Sequence, residues 1–242
     1  MRSNHAQGEV TEASAGVYRP LMSEERAERM RHLHEDMVSM TKAADTETSS
    51  LLGLTFVVPP EVKRIGPLSE LLGEAVLAEV KSDDRVLEMG TGCGVNAVIA
   101  ATRAAEVLAV DINPDALENA MDNAVRNNVA DHFEVRHSDI FSSVEGVFDL
   151  IIFNPPFRWF TPRTMLEAAT ADENYSALTR FFREVRQYMA ENGRLIIFFG
   201  NAGDLAYLQQ LIDTEGFRQE VVAQSSRLVA GMGVNFFVYR LS

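Results

Sequence analysis

The sequence predicts an α/β protein built on a mostly parallel sheet, closed by an antiparallel C-terminal strand pair and preceded by an N-terminal helical extension. Three observations carry that prediction. Strand-like apolar runs, RVLEM (85–89), EVLAV (106–110), FEVRH (133–137), FDLIIFN (148–154) and RLIIFF (194–199), alternate with amphipathic helical stretches, the pattern of βαβ units. Within them LIIF and LIIFF are continuously apolar, as strands buried on both faces require. Finally, FRQEVVAQ (217–224) and VNFFVYRL (234–241) are strand-like, with only residues 225–233 between them. That is too short for a crossover helix, so the pair is antiparallel.

Residues 1–20 are polar, rich in Ser, Ala, Gly and Glu, and are expected to be mobile. A helix then starts at Ser23, an N-cap residue followed by Glu24 and Glu25, whose charges suit the positive helix end. Ala27, Met30, Leu33, Met37 and Met40 recur at helical spacing. That stripe is either core packing or an adaptable lid over a substrate pocket. His32, His34, Glu35 and Asp36 are read as a solvated polar face, because residues two apart on a helix diverge. LTFVV (54–58) is a short strand halted by Pro59 and Pro60, and a helix of about three turns follows Ser69, carrying Leu71, Leu72, Val76, Leu77 and Val80. The chain therefore divides into an N-terminal segment and lid or packing helix, 1–50, and a main domain, 51–242.

The strand at 85–89 runs into Gly90-Thr91-Gly92-Cys93-Gly94 and then into helix-like VNAVIAATRA. Glycines let the backbone turn sharply against a ligand, and the helix start supplies unpaired N–H groups. The second strand of the series ends at Asp111, placed to accept hydrogen bonds from both hydroxyls of a ribose or to cap the helix starting near Pro114. The loop is shorter than a dinucleotide loop, and Glu88 precedes it. A carboxylate there repels a pyrophosphate and suits an amino group or a sulfonium. Cys93, inside the loop and without a nearby His, reads as a small packing residue.

EMGTGCG followed by VDINPDAL resembles motif I and the acidic strand end of class I S-adenosylmethionine-dependent methyltransferases, and HSDIF (137–141) falls at that superfamily's third station. The resemblance implies a Rossmann-like class I methyltransferase fold with a seven-stranded sheet and S-adenosyl-L-methionine as cofactor. It implies cofactor contacts from Glu88, Gly90, Thr91, Gly92, Gly94, Asp111, Ile112, Asp139, Ile140 and Asn154.

The run IIFNPPFRWF (151–160) breaks a buried strand with Asn154 and two prolines, which donate no backbone hydrogen bond. NPPF resembles the Asn-Pro-Pro-aromatic motif IV of amino-methyltransferases, including the release-factor glutamine N-methyltransferase and small-domain methyltransferase branches. By strand order Asn154 lands beside the methyl donor, where its carboxamide oxygen and the Pro155 carbonyl accept from one substrate nitrogen. Phe157 offers a flat face to a planar group, which makes Asn154, Pro155 and Phe157 the expected catalytic set. Departures are visible. Phe157 stands where the glutamine branch typically has Tyr, and only Pro67, Ser69 and Glu70 echo that branch's Pro-Arg-Pro-Glu-Thr-Glu stretch. Arg158, Trp159 and Arg163 either meet a substrate or pack the loop on the N-terminal helix.

Charge and composition narrow the function classes. The net charge of −13, from 35 acidic and 22 basic residues, counts against a nucleic-acid acceptor. A single cysteine allows no internal disulfide and suits a reducing, cytoplasmic compartment, and no apolar run reaches membrane-span length. No metal site is expected. The reading is an N-methyltransferase acting on an amine or amide nitrogen of a small molecule or a protein. The alternatives are an rRNA or other nucleic-acid base methyltransferase, a nicotinamide-dependent oxidoreductase, and a non-catalytic cofactor-binding protein.

Overall fold

A computed structural model describes residues 18–40, 45–229 and 232–242. Its strands are β1 (Glu47–Leu51), β2 (Leu54–Val58), β3 (Arg85–Met89), β4 (Glu106–Asp111), β5 (Phe133–His137), β6 (Phe148–Phe153), β7 (Met189–Gly200), β8 (Gln219–Val229) and β9 (Met232–Leu241). Seven of them form one sheet in the order β5-β4-β3-β6-β7-β9-β8. β3 through β7 pair in parallel, and β9 runs antiparallel to both β7 and β8. The apolar runs dictate the central position of β6 and β7. Leu150, Ile151 and Ile152 of one and Leu195, Ile196 and Ile197 of the other are fully buried, which requires helices on both faces.

Those helices are α2 (Ser69–Glu79), α3 (Val95–Ala101), α4 (Pro114–Arg126), α6 (Ser176–Val185) and α7 (Leu205–Thr214), with the single turn α5 (Met165–Ala168) in the loop after β6. Asn113 caps α4, its side chain accepting from the Asp115 N–H at 3.1 Å, with Pro114 at the first helical position. No helix among the described residues is long and apolar enough to cross a membrane.

β1 is not legible in the sequence, because ETSSL has no apolar alternation. It exists as half of a hairpin with β2, turned by Leu52 and Gly53, both at positive φ. The boundary expected at residue 50 falls inside it. The outer edge of β2 is satisfied by side chains of α4. Asn123 Oδ1 accepts from Val57 N at 3.0 Å, Asn119 Nδ2 donates to Val57 O at 2.8 Å, and Asn127 exchanges two bonds with Thr55 at 2.9 and 2.8 Å. Three asparagines four residues apart share one helix face, so their amides stand in for a neighbouring strand.

The N-terminal helix α1 (Glu24–Met40) starts as expected, with Ser23 Oγ accepting from Arg26 N at 3.3 Å. Met30 and Leu33 are buried; the Met37 and Met40 side chains lie outside the described residues. Two expectations are corrected. Residues 1–17 lie outside the description, but Tyr18, within the stretch expected to be mobile, is anchored: its hydroxyl donates to Asp204 Oδ2 at 2.7 Å. Its ring sits 4.9 Å from Tyr175 and 4.8 Å from Tyr207. The aromatic ring, not the polar composition around it, decides the outcome. His34, expected on a solvated face, is buried and stacked on Phe160 at 4.8 Å, while His32 and Glu35 are exposed as expected. The loop that carries Phe160 folds back over that turn of α1, which a helical-face argument cannot see.

Asp204 ties this segment down. Its carboxylate accepts from Tyr18 Oη and Leu21 N, and also caps α7 through the Ala206 and Tyr207 N–H groups. Asp204→Ala should therefore cost roughly 2–4 kcal/mol by stranding several donors. Thermal melting would show the loss. Limited proteolysis should find residues 18–40 cut before the sheet domain; simultaneous cutting would mean the segment is not separately anchored.

Candidate active site

The parallel strands deliver their C-terminal ends to one edge of the sheet at matched height. Met89 stands opposite Val110 of β4 on one side and Phe153 of β6 on the other, and Asp111 stands opposite His137 of β5. The chain winds outward from β3 through β4 to β5, then returns and winds the other way through β6 to β7. At that reversal the flanking connections diverge and leave a crevice. A cavity of about 870 Å³ fills it, lined among others by Glu88, Gly90, Thr91, Gly92, Asp111, Ile112, Asp139, Ile140, Asn154, Pro155 and Phe157. Its size suits a small-molecule site. Gly94 alone of the expected residues is not brought to it. A side chain at Gly94 would meet Ala120 Cα and Cβ at 2.9 Å, and its φ is +80°, so it is glycine to let α3 pack on α4.

Glu88 is not a free acid awaiting a cation. It is buried at the end of β3, and its carboxylate accepts from Thr91 Oγ1 at 2.6 Å, Asn96 Nδ2 at 2.8 Å and Ala97 N at 2.9 Å. One side chain thereby fixes the glycine loop and the first turn of α3. Burial pushes its pKa up to about 7, against the pull of those three donors. The Oδ1 of Asn96 is buried and has no partner among the described residues.

Asp111 does not cap α4, since Asn113 does. Each of its oxygens accepts one backbone bond, from Gly92 N and Asn113 N, both at 2.9 Å. Burial raises its pKa, with those N–H groups opposing. Each oxygen retains a lone pair. Asp139 is exposed, with Oδ2 on Arg180 Nη1 at 2.8 Å. Beside it Ile140 holds φ +53°, a strained geometry for a β-branched residue, pinned by Ser138 Oγ donating to its carbonyl at 2.7 Å.

The ladder of β6 ends at Phe153, and the Asn154 carboxamide makes no hydrogen bond to any described residue. The turn beyond it is braced from behind. Buried Tyr175 donates to the Phe157 carbonyl at 2.7 Å and accepts from Asp204 N at 2.8 Å. A side chain at Gly203 would strike the same carbonyl at 2.2 Å. The Phe157 ring lies between Phe199 at 5.5 Å and Phe236 at 6.3 Å. Tyr175 and Gly203 carried no sequence signal, since both are distant along the chain and act by shape.

The loop residues left open by the sequence divide. Trp159 is buried in the aromatic cluster with Tyr18 and Tyr175, so it packs on the N-terminal segment. Arg158 is buried and lines the cavity, with Nε on Thr170 O at 3.2 Å. Arg163 is exposed and pairs with Glu167.

A Rossmann-like sheet with a C-terminal antiparallel pair, a glycine loop and an Asn-Pro-Pro turn at its reversal point defines a class I methyltransferase. The chain belongs to the methyltransferase small domain family, whose profile matches residues 62–227, and it is a methyltransferase. It is 33% identical over 183 residues to a putative protein N5-glutamine methyltransferase of Methanocaldococcus jannaschii, covering 71% of this chain and 89% of that protein. To the release factor glutamine methyltransferase of Agrobacterium fabrum it is 33% identical over 113 residues, covering 43% of this chain and only 39% of that relative's length. Solved structures share the fold at low identity. A ribosomal protein L11 methylase from Lactobacillus delbrueckii subsp. bulgaricus gives a TM-score of 0.54 at 20% identity, over 75% of this chain and 82% of that one. A T. thermophilus 16S rRNA N2 methyltransferase, in complex with AdoMet and guanosine, gives 0.57 at 22% identity, over 81% and 50%.

The Glu88 shift has a testable sign. An acid with a folded pKa of about 7, against an ordinary 4.5, destabilises the fold as pH rises through that window, because the unfolded chain releases its proton first. Between pH 5 and 8 the loss attributable to Glu88 should be on the order of 3 kcal/mol. Glu88→Gln should abolish that component in denaturant titrations at the two pH values. Parallel pH slopes for both proteins would mean Glu88 is ionised throughout.

Proposed function

We propose that the protein is an S-adenosyl-L-methionine-dependent N-methyltransferase whose acceptor is an amide or amine nitrogen of a protein or a small molecule, working in the cytoplasm. One observation carries the reading: Asn154, whose carboxamide makes no hydrogen bond to any described residue, lines the same cavity as the glycine loop. Three relatives support it by what they are named to methylate, glutamine in a protein, in a release factor and in ribosomal protein uL3, the last from Francisella tularensis.

In this reading Gly90, Thr91 and Gly92 form the floor under the cofactor. Asp111 uses its two remaining lone pairs on the ribose hydroxyls, and Ile112, Asp139 and Ile140 flank the adenine. The exposed ion pair of Asp139 with Arg180 contributes little and can open or share its acceptor. Glu88 and Asn96 act as positioning residues that set the loop. Asn154 Oδ1 and the Pro155 carbonyl accept from the acceptor N–H groups and aim the nitrogen lone pair at the methyl carbon. When bound, S-adenosyl-L-methionine would supply the methyl group: the new N–C bond would be matched by loss of the C–S bond, the sulfonium becoming a neutral thioether, and the proton lost from nitrogen would pass to water. Phe157, held between Phe199 and Phe236, offers its face to the planar group. The account is catalysis by positioning.

Two variants separate the roles. Asp111→Ala should weaken S-adenosyl-L-homocysteine binding by about 1–3 kcal/mol in calorimetry, by leaving two hydroxyls short of acceptors. Asn154→Ala should leave that affinity within a few-fold and lower kcat on glutamine peptides roughly 10²-fold or more, with Asn154→Asp retaining more activity than Ala. Unchanged binding in Asp111→Ala, or an Asn154→Ala enzyme with normal turnover, contradicts these assignments.

A further inference from the structure

We propose that Tyr175 and Tyr18, joined through Asp204, are positioning residues that hold Asn154 and the Pro155 carbonyl in place for an incoming N–H donor, so that docking of the N-terminal segment sets the precision of the site. The inference rests on the methyl-transfer reading of that cavity and deepens it by naming what keeps the acceptor-facing turn still.

The turn has to be held from outside. The ladder of β6 stops at Phe153, and neither proline can donate a backbone bond. The three carbonyls that follow the prolines are all taken by one distant segment. Those of Phe157, Arg158 and Trp159 accept from Tyr175 Oη at 2.7 Å, Asp172 N at 2.8 Å and Asn174 N at 3.1 Å. Two of these bonds come from the main chain, which any residue but proline could supply. The third comes from a side chain, and it falls on the carbonyl nearest Asn154. Pro155 and Pro156 fix φ at both positions between Asn154 and Phe157. A displacement of the Phe157 carbonyl therefore has few torsions in which to be absorbed before it reaches Asn154.

Tyr175 is forced into position for that bond. It is fully buried and holds φ +51°, beside Asn174 at +54°, a left-handed geometry that an aromatic residue adopts only when its surroundings impose it. Its hydroxyl also accepts from Asp204 N at 2.8 Å, which ties its height to the turn at Gly203. The N-terminal segment closes on that same turn. Tyr18 Oη and Leu21 N donate to Asp204 Oδ2 at 2.7 and 2.6 Å, and Arg26 Nη2 donates to the Asn201 carbonyl at 3.0 Å. The Tyr18 ring meets the Tyr175 ring edge-on at 4.9 Å. Burial raises the pKa of both hydroxyls, so each keeps its proton and remains a donor. Positioning falls off steeply with distance, and a shift of about 1 Å can cost on the order of 10²-fold in rate. A hydroxyl that fixes the Phe157 carbonyl thus has more leverage on Asn154 than on the stability of the fold.

The test uses full-chain Tyr175→Phe, Tyr18→Phe and Asn154→Ala with probes that need no acceptor. Sinefungin, an analogue of S-adenosyl-L-methionine, has an amine-bearing carbon in place of the sulfonium and its methyl. Its ammonium reports on the Asn154 and Pro155 oxygens, and S-adenosyl-L-homocysteine lacks it. Calorimetry should show that wild type prefers sinefungin and that Asn154→Ala lowers this preference roughly tenfold. Tyr175→Phe and Tyr18→Phe keep both rings. They should lower the preference roughly threefold or more while S-adenosyl-L-homocysteine affinity stays within about twofold. In nitrogen-15 spectra of the free protein, the Asn154 side-chain amide, assigned by its loss in Asn154→Ala, should move in both tyrosine variants. An unchanged preference in Tyr175→Phe would make its hydroxyl purely structural and overturn the proposal, whatever happens to the melting temperature. An effect of Tyr175→Phe without one of Tyr18→Phe would overturn the part given to the N-terminal segment. A wild type without preference for sinefungin, or a preference that survives in Asn154→Ala, would instead sink the methyl-transfer reading of Asn154. The amide signal would then decide alone, and an unmoved signal in Tyr175→Phe would overturn the positioning claim as well.

Discussion

Parallel hydrogen bonding holds Met89 level with Val110 on one side and Phe153 on the other. The glycine loop, the acid at Asp111 and the Asn154 turn are therefore neighbours because three ladders end together. A slip of β6 by one residue would turn its whole side-chain set over and displace Asn154. Continuous burial of Leu150 to Phe153 on both faces makes such a slip costly, and the two prolines prevent the ladder from running on. Glu88 completes the constraint from inside, tying the end of β3 to Thr91 and to the start of α3.

Around that fixed level, the wall beyond Asn154 is assembled from long-range contacts. Tyr175 and Gly203 set the height of the Phe157 carbonyl, and Asp204 joins Tyr175, α7 and the N-terminal residues Tyr18 and Leu21. The N-terminal segment is thus built into the back of the Asn-Pro-Pro-Phe turn, and Leu33 of α1 reaches the cavity itself. The Phe157 turn and the docked N-terminal residues share one aromatic cluster, joined through Tyr175.

The sheet was legible because burial on both faces leaves uninterrupted apolar runs, and the site because glycines, prolines and acids at strand ends have few other uses. Contacts that depend on where separate segments meet were not legible. ETSSL becomes a strand by pairing with β2, whose other edge is bonded by Asn119, Asn123 and Asn127 along one face of α4. His34 is buried by a loop more than a hundred positions away, stacking on Phe160. Glu88 read as a ligand for a cation because its position beside the loop was visible while its three internal donors were not. Gly94 belonged to a glycine pattern yet answers to Ala120 of another helix.

The most direct test of this account is a crystal structure with S-adenosyl-L-homocysteine bound. The account predicts the adenosine between Asp111 and Ile140, with the sulfur above the glycine loop facing Asn154 Oδ1. The gap between them should accommodate a methyl group and a nitrogen about 3–3.5 Å apart. A cofactor bound with its sulfur turned away from Asn154, or seated outside the crevice between β3 and β6, would contradict it.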